Sequence, residues 1–127
     1  MSVLHVAYYW LILGCLLMGG ALSGYVSHSA AVHAWTVGAI GGFTLGMMAR
    51  VALGHTGRSI RVSRLTVVAF AMLNLAAVAR VLLPLALPAY YPFWVQLAGV
   101  LWVLAFGLGA LVYAPVLLRP RVDGKPG

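Results

Sequence analysis

The stretch AAVHAWTVGAIGGFTLGMMARVAL, residues 30–53, decides the fold. It is apolar nearly throughout, with His33 near one end and Arg50 near the other. As an α-helix rising 1.5 Å per residue it covers about 36 Å, more than the roughly 30 Å hydrocarbon core of a bilayer. Ala30, Ala34, Gly38, Gly42 and Gly46 recur every four residues, a GxxxG stripe of the kind that lets membrane helices approach closely. The run ends on Gly54-His55-Thr56-Gly57-Arg58-Ser59, a polar turn. The segment is built for lipid, and an imidazole stands near each end of it.

Three further apolar runs fill most of the rest of the chain: about 4–22, 65–83 and 93–118. Polar residues Ser23 to Ser29 break the first from the second. Pro84, Pro88 and Pro92 punctuate the third link and should stop helix propagation there. Across 127 residues, 64% are hydrophobic and 7% charged, against about 25% charged in soluble domains. The expected fold is all-α: an integral membrane four-helix bundle over residues 1–119, followed by a basic tail at 120–127, of which 122–127 should be mobile. The N-terminus lacks the basic segment of a secretory signal, so the first span is expected to be retained.

The net charge of +7 is distributed as a membrane protein distributes it. Arg50, Arg58, Arg61 and Arg64 cluster at the second link, and Arg119, Arg121 and Lys125 at the tail. With four crossings these clusters fall on one side, which the positive-inside rule makes cytoplasmic together with both termini. No soluble basic module exists to read nucleic acid. The single cysteine, Cys15, lies mid-span and excludes an intrachain disulfide.

Two readings of the small-residue stripe stand open: a groove for a neighbouring helix, or room for a flat cofactor against the backbone. Asn74, mid-span, should face the bundle and hydrogen-bond a neighbour. Trp35, Trp94, Tyr90, Tyr91 and Tyr113 lie near span ends and fit an interfacial aromatic belt.

The four histidines, His5, His28, His33 and His55, all fall near span ends. His33 and His55 are about 33 Å apart along one helix, so they cannot share a metal within one chain. His28 with His33, or His5 with His55, could converge; otherwise the second ligand comes from another segment or subunit. A neutral imidazole binds haem iron, copper or zinc, and its other ring nitrogen needs a fixed partner. With one acidic side chain, Asp123, a carboxylate-rich site is excluded. Haem suits the inventory: histidine for the iron, glycine beside the ring, arginine for the propionates. Arg50, Arg58 and Arg61 serve this reading on the cytoplasmic side and Arg80 on the other, while Met47 and Met48 are soft donors suited to copper. The plainer readings are that interfacial histidines anchor the helix ends, loop arginines bind lipid phosphate and methionines fill space. Arg80, inside a span, is harder to dismiss, since a charge there usually marks function unless it snorkels.

The stretch HAWTVGAIGGFTLGMMARVALGHTGRSI (33–60) closely resembles the signature of the NnrS family, membrane proteins of the nitric oxide response in denitrifying bacteria. The opening VLHVAYYWLILG (3–14) and the ending YAPVLLRPRVDGKPG (113–127) are similar to the same family. The resemblance implies a haem- and copper-containing protein, the haem of b type, in the bacterial inner (cytoplasmic) membrane, helping cells tolerate nitric oxide. The positions that match are His5, His33, Arg50, His55 and Arg58, with Gly54 and Gly57 shaping the turn; His28 ranks last. Members of that family are longer, and this chain corresponds to their C-terminal part, so a natural short form, a fragment and one piece of an assembly all stay open. Missing ligands would then come from other membrane subunits or from a second copy paired through the glycine stripe.

Three functions compete at this level. The first is haem binding, with nitric oxide bound or electrons transferred at histidine-ligated iron. The second is a structural or assembly subunit of a larger membrane complex, without its own cofactor. The third, a small transporter or channel, is disfavoured because Arg80 is the one ionisable group well inside a span. Catalysis by the side chains themselves is unsupported: there are no paired carboxylates and no nucleophile with a base, so redox activity would require a cofactor.

Overall fold

The structure, a computed structural model, describes residues 2–120 and 122–124. Its elements are α1 (Ser2–Leu22), α2 (His28–His33), a π-helical segment (Ala34–Ile40), α3 (Gly41–His55), α4 (Arg64–Ala86), a short 3-10 turn (Pro88–Tyr90) and α5 (Tyr91–Leu118). No strand occurs among the described residues. Four continuous segments are long and apolar enough to cross a membrane: Val3–Leu22, His28–His55, Arg64–Ala86 and Pro88–Leu118. The fold is the expected all-helical, four-span one, and its apolar surface implies a bilayer around it. The second and third spans are the inner ones, 39% and 44% buried, against 17% for each outer span.

Helix starts follow side-chain chemistry. Ser27 accepts a hydrogen bond from the Ala30 N–H and opens α2, and Ser63 does the same for Thr66 and α4. Gly24, at φ +79°, makes the turn between the first two spans. The third link departs from expectation. Helix α4 runs through Pro84 to Ala86, and Pro92 lies in the first turn of α5. A proline cannot donate to the carbonyl four residues back, here that of Arg80, but so close to the helix end few bonds are lost; in a first turn the missing N–H costs nothing.

The small-residue stripe of the second span is filled by α1. A Cβ on Gly38 would lie 2.5 Å from the Trp10 ring, one on Gly42 3.0 Å from Ala7 Cβ, and one on Gly46 3.1 Å from Leu4. The same holds in reverse at Gly14, where a Cβ would collide with the Trp35 indole. Together these contacts set an antiparallel register of α1 against the second span. The packing reading of the stripe is therefore correct, and neither a flat cofactor nor a second copy of the chain has room there.

A repeat of four drifts about 40° per step on a 3.6-residue helix, or about 160° from Ala30 to Gly46. The π segment turns less per residue because its bonds close i→i+5. Placed in the middle of the stripe, it brings the small residues back towards α1.

Alanine dominates the core. Trp10, Ala30, Ala34, Ala39, Ala77 and Val81 form a cluster at the end nearer the first link. Leu45, Ala69, Phe70, Leu73 and Ala105 fill the middle, and Ala49, Ala52 and Tyr113 the end nearer the second link. Asn74 behaves as expected. It accepts from the Trp10 indole N–H at 2.9 Å and donates to the Phe70 carbonyl at 2.9 Å, joining α1 to α4. Two of the five aromatic residues assigned to an interfacial belt do not belong to one. Tyr113 is buried, its hydroxyl 2.9 Å from Thr66 Oγ1 across the α4–α5 seam. Trp35 lies in the α1 seam and donates to the Leu11 carbonyl at 3.2 Å.

The start of the tail packs against the second link. Val122 N–H donates to the Thr56 carbonyl at 3.3 Å, and a Cβ on Gly57 (φ +70°) would lie 2.9 Å from Asp123 Cγ. Arg58 donates to the Val116 carbonyl at 3.1 Å, next to Pro115, which lies inside α5. The mobile tail expected over 122–127 is thus docked at Val122 and Asp123; residues 125–127 lie outside the described residues.

Candidate functional site

The residue types expected to bind a cofactor divide between the two ends of the bundle. At the second-link end, His5 and His55 are both exposed. The α1 register sets His5 opposite residues 44–45, so His55 lies about 15 Å further along the axis. Arg50 is exposed and borders a cavity of about 150 Å³ with Val3, Leu4, Ile60, Val62 and Phe70. Arg58 is committed to the Val116 carbonyl. His5 and His55 are thus set apart along the axis at this end of the bundle.

At the first-link end a compact arrangement forms. His33, half-buried at the end of α2, has Nδ1 2.7 Å from the Ser29 carbonyl oxygen and 3.2 Å from Ser29 Oγ. A carbonyl only accepts, so Nδ1 carries the proton and donates it. With the proton on Nδ1, the lone pair of an uncharged ring lies on Nε2, the nitrogen that ligates metals when the other one is held in this way. The imidazole lines a groove of about 320 Å³ with Val37, Arg80, Val95, Ala98 and Trp102, which is open on one side. Its walls are almost wholly apolar.

Arg80 stands at the edge of this groove. Its Nη2 donates to Ser29 Oγ at 3.3 Å, and its guanidinium carbon lies 5.7 Å from the centroid of the Tyr91 ring. Ser29 thus touches both side chains: its carbonyl holds the imidazole and its hydroxyl takes one guanidinium N–H. His28 is exposed at the start of α2. Five residues from His33 on a helix of 100° per residue, it points about 140° away. No group of three metal-ligating side chains occurs among the described residues.

His33 and Arg80 stand out in the sequence as separate residues; Ser29, which joins them, does not. The four-residue spacing of Ser29 and His33 puts them on one helix face and was the available signal. Nothing in the sequence alone pairs Tyr91 with Arg80, since their contact depends on the short third link.

Residues 1–121 match the family model described as NnrS protein. The chain belongs to the NnrS family. No match to it was found among curated proteins or among solved structures. The matched residues take in all four spans and both ends of the NnrS bundle, including the His33–Ser29–Arg80 arrangement.

Proposed function

We propose that this chain is a haem-binding part of a nitric oxide response protein of the bacterial inner membrane, with His33 supplying an iron ligand through Nε2. The observation that carries this reading is the Nδ1–H donated to the Ser29 carbonyl. It fixes the tautomer and the ring orientation before any metal arrives, so that ligation costs no rearrangement. The apolar walls made by Val37, Val95, Ala98 and Trp102 suit a hydrophobic macrocycle. Haem held there would supply a metal centre for nitric oxide binding or one-electron transfer. The chain contributes one ligand on this side, and the open face of the groove leaves a second to another segment, a second copy or another subunit.

The residues do not fit copper equally well. Met47 and Met48 are exposed on α3, about 20 Å along the span from His33. By the charge rule the termini and the second link face the cytoplasm, which sets the His33 groove towards the opposite face.

The test is the absorption spectrum of protein purified from cells well supplied with haem. A Soret band that is lost or displaced in the His33→Ala variant, and kept in His55→Ala and His28→Ala, is expected. Folded wild-type protein without a Soret band rejects the reading. A second reading, a structural subunit without its own cofactor, is favoured by the thin burial of the first and last spans, 17% each, which leaves broad faces for other membrane helices. Under it, His33→Ala changes assembly with partners and no spectrum.

A further inference from the structure

No acidic side chain among the described residues lies at the Arg80 end of the bundle. The whole sequence contains one acidic side chain, Asp123, and that residue lies beside Gly57 at the far end of the bundle. The second span alone, His28–His55, separates the two ends by about 40 Å. A guanidinium offers five N–H donors in a planar fork. Ser29 Oγ takes one of them, and the Tyr91 ring supplies a π-face. Arg80 sits less than two helical turns before Ala86, the end of α4, where a long side chain can reach towards the headgroup layer.

Beside it is a second cavity, of about 180 Å³, lined by Ser27, Ala30, Arg80, Val81, Pro84, Leu85 and Tyr91. Its character differs from that of the His33 groove. Here the cation, a serine and a tyrosine form the polar part, and Val81, Pro84 and Leu85 form an apolar wall. That combination matches a phosphate joined to acyl chains: anionic oxygens against the fork, hydrocarbon along the helix.

We propose that the Arg80 cavity is a binding site for the phosphate of an anionic phospholipid, one per chain, drawn from the leaflet at the first-link end. The fork takes the phosphate oxygens, Tyr91 keeps the guanidinium from turning away, and the lipid supplies the negative charge that no side chain provides at this end of the bundle. Basic pockets between membrane helices bind phospholipid headgroups on the same principle. Arg80 also borders the His33 groove, but the lipid site requires no haem there.

The test uses the full chain in non-ionic detergent, titrated with phosphatidylglycerol or phosphatidylcholine and read by native mass spectrometry, with inorganic phosphate as competitor. Phosphatidylglycerol should bind one per chain in preference to phosphatidylcholine, and inorganic phosphate should not displace it. Arg80→Gln should weaken it about tenfold, the loss expected on removing a charge-assisted contact. Leu85→Glu keeps Arg80 and places a carboxylate in the same cavity. It should abolish the lipid preference in folded protein even if Arg80→Gln does not fold. Arg64→Gln, at the other end of α4, should bind as wild type. Unchanged phosphatidylglycerol binding in Leu85→Glu or in folded Arg80→Gln overturns the proposal, as does displacement by inorganic phosphate.

Discussion

Replacing Gly38 by alanine tests the helix seam on which the His33 groove depends. A Cβ at this position would lie 2.5 Å from Trp10 Cγ and Cδ2 and 2.8 Å from Trp10 Cβ. Ordinary carbon–carbon contact is about 3.5–4.0 Å, so the overlap is about 1 Å. The atoms struck are at the root of the tryptophan, so a rotamer change does not relieve it and α1 itself must move. Overpacking of this kind costs about 1–3 kcal/mol. Displacing Trp10 also strains its bond to Asn74, in a setting where interhelical hydrogen bonds average about 0.6 kcal/mol. Against this, alanine gains up to about 1 kcal/mol of helix preference. The net loss should be about 1–2 kcal/mol, or roughly a tenfold change in the unfolding equilibrium. Reversible unfolding in mixed micelles measures it, with Gly107→Ala, where nothing lies within 4 Å of the new methyl, as the matched control. If both variants unfold at the same denaturant fraction, the close approach of Trp10 to the stripe is wrong.

Two further substitutions probe the opposite end. Tyr113→Phe removes the buried hydroxyl that meets Thr66; because Thr66 also contacts Ser63 Oγ at 3.0 Å, the cost should sit near the average of about 0.6 kcal/mol for membrane hydrogen bonds, measured as a small drop in unfolding midpoint. Gly57→Ala forces an L-residue into φ +70° and sets its methyl against Asp123, costing about 1–2 kcal/mol; faster tryptic cleavage of the tail should accompany it, and an unchanged cleavage rate would separate the tail from the turn.

Much of this fold was legible because lipid imposes so few solutions. Long apolar runs separated by polar turns leave helices as the one open choice, and the four-residue stripe correctly marked a helix seam. What the sequence hid was local and physical. Pro84 reads as a stop, yet one proline near a helix end forfeits too little to end it. The π segment has no residue signature; it follows from reconciling a period of four with a helix of 3.6. Tyr113 and Trp35 look interfacial by position, and only the packing partners, Thr66 on α4 and Gly14 on α1, show them turned inward. At the candidate site, residue types identified His33 and Arg80. The carbonyl of Ser29, which decides the tautomer, is a backbone atom that carries no sequence identity.

The most direct measurement of the central claim is chemical rescue at His33. His33→Gly, purified with haem supplied throughout, should lack the wild-type Soret band, and free imidazole added to it should restore that band, while His28→Gly needs no rescue. A His33→Gly protein that keeps the wild-type haem content and band position without imidazole would contradict the assignment of His33 as the iron ligand.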